Sequence, residues 1–142
     1  MVTLSPSPMT VVPVCHVGDP LQITCTASVE FMQWSILRIN ELGTLEKITN
    51  DVILSSTSSN MMMQRVNSVL FTFMRVSAQE ALPLISTLSV DSVSTDLNGT
   101  VVHCLDVGNL TSNASTTIEI IDSKLHSHGH TYPLCMSSYY LY

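Results

Sequence analysis

Cys25 and Cys104 stand 79 positions apart, and the chain's one tryptophan, Trp34, lies between them, nine residues after the first. Each of the three closes or centres an alternating stretch: Leu21-Gln22-Ile23-Thr24-Cys25, Met32-Gln33-Trp34-Ser35-Ile36 and Val102-His103-Cys104. Side chains along a strand point to opposite faces with period two, so apolar residues at every second position mark a strand with one buried face. The two cysteines and the indole are all in phase with their apolar neighbours. Each of the three therefore sits on the buried face of its own strand.

The rest of the chain follows the same period. Residues 69–76 carry Phe71 and Phe73 on one face, and residues 84–93 carry Leu88, Val90 and Val93. Ile118 and Ile120 lie in the last strand, and Leu45-Glu46-Lys47-Ile48 is a short one. Val11-Val12-Pro13-Val14 reads as an edge strand, because proline lacks the N–H that a central strand needs. Gly18-Asp19-Pro20, residues 41–44 and Asn98-Gly99 are turn signals. Met61-Met62-Met63 fits a strand or an inward-packed loop equally well. No helical periodicity is sustained. Alternation stops at Ile121, which divides the 142 residues into one domain at 1–122 and a flexible C-terminal tail at 123–142. The tail is expected to stand outside the sandwich core, with the aromatics Tyr139, Tyr140 and Tyr142 as the residues that speak against it, since they could dock on the domain.

The pattern Gly18-x-x-Leu21-x-Ile23-x-Cys25, the pair Met32-x-Trp34, and Leu88-Ser89-Val90 followed by a turn and Cys104 resemble the immunoglobulin-like domain over residues 2–122. The resemblance implies an all-β antiparallel sandwich with Greek-key connections, a Cys25–Cys104 disulfide joining the sheets, and Trp34 packed against it. The long Cys–Cys separation implies the variable or intermediate set, with strands C′, D and E between. Two positions depart from the pattern: Val102 stands where the family carries the tyrosine of its corner, and Asn98 where it carries an acid. Asp96 is close by, so the corner is expected to hold one extra residue. Cys15 and Cys135 have three outcomes open: mutual pairing as a second disulfide, pairing with another chain, or free thiols.

Composition excludes several functions. Charged residues make up 11 % of the chain and the net charge is −6. The five cations, Arg38, Lys47, Arg65, Arg75 and Lys124, are scattered, which argues against nucleic acid and anionic membrane surfaces as partners. No apolar run is long enough to insert in a membrane. Residues 1–14 lack a secretory leader and hold Pro6, Pro8 and Pro13, whereas a disulfide needs an oxidising compartment. The expectation is a piece of a longer secreted or membrane-anchored protein, placed outside the cell or at its surface. No nucleophile elbow, phosphate-cradling glycine loop or His-Glu metal helix is present, so neither an enzyme nor a cofactor is expected. His126, His128 and His130 alternate and are the chain's weak metal candidates; Gly129 and the want of a carboxylate cluster argue against a preformed site, and no metal is expected.

What remains is recognition or adhesion by non-covalent protein contact, as the resemblance implies, with another immunoglobulin-like domain as a suitable partner. A structural spacer in a larger ectodomain is the first alternative, and a metal or enzymatic protein using the histidines the second. Three sequons, at Asn98, Asn109 and Asn113, offer N-glycosylation sites. A chain so rich in Ser and Thr carries some sequons by chance, so position is the better argument: all three fall in expected turns or loops. Glycans in the loop at 106–114 would cover that end of the domain. Direct contact is therefore expected on the sheet face nearest strands C and C′, with Gln33, Ser35, Arg38 and Lys47 as its polar groups.

Overall fold

The computed structural model describes residues 13–57, 61–66, 68–121 and 135–141. Alternating segments pair into two five-stranded sheets and a short ribbon. The first sheet is centred on β3 (Phe31–Ile39). β9 (Val101–Asp106) lies along one side of it with β10 (Asn109–Thr117) beyond. The other side is shared by β4 (Leu45–Lys47), opposite Leu37 to Ile39, and β5 (Val52–Ser55), opposite Phe31 to Trp34. The second sheet runs β12 (Met136–Leu141), β2 (Leu21–Ala27), β8 (Leu84–Val90), β7 (Val69–Arg75), β6 (Met61–Val66). The ribbon pairs β1 (Val14–His16) with β11 (Glu119–Ile121) in parallel. Met61-Met62-Met63 thus begins a strand. Gly18 and Gly99 turn the chain with φ of +93° and +81°, a region that other residues enter only at a cost.

The two sheets enclose one core. Leu21, Ile23, Cys25 and Ala27 of β2, Phe71 and Phe73 of β7, and Leu84, Leu88 and Val90 of β8 face Met32, Trp34 and Ile36 of β3, Val52 and Leu54 of β5, and Val102 and Cys104 of β9. The fold is an all-β sandwich, and its centre is tied twice across the gap. Cys25 and Cys104 are bonded, with Cα atoms 6.6 Å apart. Trp34 lies directly opposite Cys104 in the β3–β9 register, and Ser86 directly opposite Cys25 in the β2–β8 register. The indole N–H of Trp34 donates to Ser86 Oγ at 2.8 Å, and the Ser86 hydroxyl donates to the Met74 carbonyl at 2.8 Å. The bridge and the hydrogen bond therefore join neighbouring residue pairs of the two sheets. Phe73 meets the indole with ring centroids 6.1 Å apart.

The corner before β9, where no tyrosine is available, is held by main-chain bonds. A 3-10 turn at Thr95–Leu97 buries Leu97, and Gly99 N–H and Ile118 N–H bond to the carbonyls of Ile118 and Thr100. Asn98 Oδ1 accepts from Ile120 N–H at 2.9 Å.

The expected tail needs correction. Residues 136–141 form β12, which pairs in parallel with β2 along its whole length, from Met136 opposite Gln22 to Leu141 opposite Ala27. Tyr139 and Leu141 belong to the buried core, and Cys135 is bonded to Cys15, with Cα atoms 5.0 Å apart. The domain therefore includes residues 135–141. The physical reason is the free edge of β2, whose N–H and C=O groups require partners; β12 supplies them and adds two apolar side chains. His126, His128 and His130 lie outside the described residues.

Two outcomes follow for stability. Truncation before Cys135 removes a cross-link of 120 positions and the burial of Tyr139 and Leu141. The cross-link is worth about 5 kcal/mol in the chain-entropy picture and the burial roughly 2–4 kcal/mol, so the melting temperature is expected to fall by more than about 10 °C; an unchanged value would place β12 outside the cooperative unit. Ser86→Ala strands the Trp34 N–H in the core, removes the bond to the part-buried Met74 carbonyl, and is expected to cost about 1–3 kcal/mol by urea unfolding followed through Trp34 fluorescence.

Candidate interaction face

The outer face of the first sheet is read from its register. Phe31, Gln33, Ser35, Leu37 and Ile39 point away from the core, out of phase with Met32, Trp34 and Ile36. Neighbouring strands extend each position into a row. Gln33 has Ile53 on one side and Leu105 on the other, with Asn113 beyond. Ser35 has His103 and then Ser115, and Leu37 lies between Lys47 and Val101. Ile39 pairs with Leu45, and Phe31 pairs with Ser55 and accepts the Val107 N–H.

These rows make a polar band between two apolar ends. Phe31, Ile53 and Val107 are exposed at one end, 49 %, 48 % and 37 % respectively, and Ile39 and Leu45 at the other. The band itself is fixed by hydrogen bonds. Gln33 Nε2 donates to Ser35 Oγ (3.2 Å), Ser35 Oγ donates to Asp51 Oδ1 (2.8 Å), and Lys47 Nζ donates to Asp51 Oδ2 (2.6 Å). Ser35 is buried although it faces outward, because Gln33 and Asp51 close over it. Across the sheet, His103 Nε2 meets Asn113 Oδ1 at 3.1 Å. The Asn113 amide donates to the carbonyls of Leu110 and Thr111, so its oxygen is the atom turned to His103. An amide oxygen only accepts, so Nε2 of His103 carries the proton.

Asp51 is the electrostatic centre of the band. Burial pushes its carboxyl up, but the hydrogen bonds from Lys47 and Ser35, together with the Lys47 charge, outweigh burial and hold it below the ordinary 3.8. The one carboxylate and the one lysine of the band neutralise each other, which leaves a face close to neutral on an acidic chain.

Of the four residues expected to make contact, Gln33, Ser35 and Lys47 come together through Asp51. Arg38 does not join them. It is in phase with Trp34 and Ile36, and its Nη2 donates to the Asp96 carbonyl at the corner of the sandwich. The expected loop at 106–114 is also shorter. A tight turn at 107–108 leads into β10, with a register shift between Asn109 and Asn113, so Asn113 stands where regular pairing with Leu105 resumes. Asp51 escaped the sequence reading because it lies in the connection between β4 and β5 and meets Ser35 only in space. The apolar ends were partly visible, since Phe31 is out of phase with Met32 and Trp34. Among the described residues, no group of three or more His, Cys, Asp or Glu side chains is placed to hold a metal ion.

Compared with known proteins, the chain matches no family model, no curated protein and no solved structure.

The Asp51 arrangement has a sign that can be measured. A carboxyl whose folded value is depressed contributes stability that is fully present above its unfolded value, near 3.8, and is lost as pH falls through the lower folded value. The urea midpoint of the native chain is expected to decline as the solution is acidified below that value, and Asp51→Asn should decline less steeply over the same range. Equal slopes would remove Asp51 from the account.

Proposed function

We propose that this chain is an extracellular immunoglobulin-like recognition module of the variable or intermediate set, which binds a protein partner non-covalently through the outer face of its first sheet. The observation that carries the reading is the near-neutral, hydrogen-bonded band flanked by Phe31, Ile53 and Val107 at one end and Ile39 and Leu45 at the other. Interface centres are depleted of net charge and enriched in aromatic and apolar anchors. A band already held by its own hydrogen bonds loses little side-chain freedom on association. The Cys25–Cys104 bridge opposite Ser86, and Trp34 opposite Cys104, support the family reading. Two disulfides support an oxidising compartment, hence the extracellular setting. The fitting partner is the face of another immunoglobulin-like domain, equally low in charge.

The test is binding to a panel of immobilised cell-surface ectodomains, this chain itself included, with protein refolded from bacteria. Phe31→Ala and Ile53→Ala are each expected to weaken a binder at least about tenfold, equivalent to about 1.4 kcal/mol. Met61→Ser and Met74→Ser, exposed on the outer face of the second sheet, should change nothing. The reverse pattern would move recognition to the other sheet, and a panel without binders would favour the spacer.

A further inference from the structure

Three sequons are equivalent as sequence motifs, but the folded chain treats their amide nitrogens differently. Glycosylation joins the Asn Nδ2 to the anomeric carbon of an oligosaccharide carried on a lipid pyrophosphate. The N–C bond forms as the C–O bond to the pyrophosphate breaks, the amide gives up one proton and the lipid pyrophosphate leaves. The product nitrogen keeps a single hydrogen and carries a bulky polar group. An asparagine whose Nδ2 makes two hydrogen bonds in the fold cannot keep both after this change, whereas one that uses only Oδ1 keeps everything it had.

Asn113 is the first kind. Its Nδ2 donates to Leu110 O at 3.2 Å and to Thr111 O at 3.3 Å, which pins the register shift of β10, while Oδ1 meets His103. It also stands in the row Ile53, Gln33, Leu105, Asn113, on the proposed contact face. Asn98 and Asn109 are the second kind. Asn98 is exposed, and its Oδ1 accepts from Ile120 N–H. Asn109 Oδ1 accepts from Thr111 N–H at 3.3 Å and Thr111 Oγ at 2.6 Å, so the sequon's own threonine holds the amide with its nitrogen turned away. Neither Nδ2 has a partner among the described residues. The orientation of each amide is fixed by its partners: a carbonyl can be met only by the NH₂ end, and a main-chain N–H only by the oxygen.

We infer that the folded, secreted chain carries N-glycans on Asn98 and Asn109 and none on Asn113, whose amide is reserved for the hydrogen bonds that shape β10 and hold His103. The consequence is positional. Asn109 bears its glycan at the hairpin tip beside Gly108, and Asn98 bears its own at the corner before β9, so the centre of the outer face stays uncovered between them. This rests on the extracellular reading above, since the oligosaccharide donor is met only on the secretory route.

The experiment is expression of the full chain behind a secretory leader in a eukaryotic cell, followed by peptide mapping after enzymatic deglycosylation, which converts each glycan-bearing Asn to Asp. Conversion is expected at Asn98 and Asn109 alone. Thr111→Ala, which destroys the second sequon without touching its asparagine, should lose one glycan from the intact mass. Ser115→Ala, which destroys the third, should lose none. Conversion at Asn113, a loss of mass in Ser115→Ala, or the absence of glycan at Asn98 or Asn109 would overturn the inference. The binding measurements use unglycosylated protein, so such a result would leave the recognition reading standing on its own evidence.

Discussion

The sandwich depends on one cross-sheet cluster of four residues. Cys25 and Ser86 are neighbours in the second sheet, Cys104 and Trp34 in the first, and each pair reaches over to the other, once by a covalent bond and once by a hydrogen bond. The two links differ in kind. The disulfide constrains the unfolded chain and is worth about 4–5 kcal/mol in the chain-entropy picture. The indole–hydroxyl bond adds little net energy when made but is expensive to leave unmade, because its partners have no water to turn to. Together they fix the lateral offset of one sheet against the other, which apolar contact alone leaves loosely specified.

That offset propagates to the outer face. With β3 locked by Trp34, its opposite phase, from Phe31 through Ser35 to Ile39, has a fixed direction, and the registers of β5, β9 and β10 place a defined neighbour beside each residue. A slip of one position in β3 would turn every outward residue inward. Ser35 makes the coupling explicit. It sits between the buried Trp34 and Ile36, yet its hydroxyl is the hub that joins Gln33 to Asp51. Core and face are two sides of one strand.

The strongly patterned strands were legible in advance. β2, the Met32–Ile36 centre of β3, the Phe71–Phe73 centre of β7 and the Val102–Cys104 stretch alternate large apolar residues with polar ones, and the structure buries Ile23, Trp34, Phe71, Phe73 and Val102 accordingly. β10 was illegible for a definite reason: its inward positions are Ser112, Ala114 and Thr116, which are small or hydroxylated and read as loop. β12 was illegible for another. Its alternation is short, and the partner that makes it a strand, β2, lies at the far end of the chain, so no local signal announces the pairing.

The all-β class, the central strands and their buried phases are legible in the amino-acid order alone, because period-two burial is a local property written residue by residue. That order also put Cys25, Trp34 and Cys104 each on the buried face of its own strand. Tertiary structure alone settles the partner of Cys15, the place of residues 135–141, the departure of Arg38 from the outer face of the first sheet and the entry of Asp51 into the hydrogen-bonded band there. These are matters of register and edge pairing between segments distant in sequence. They are settled by which free N–H and C=O groups and which apolar faces remain to be covered once the central strands have come together.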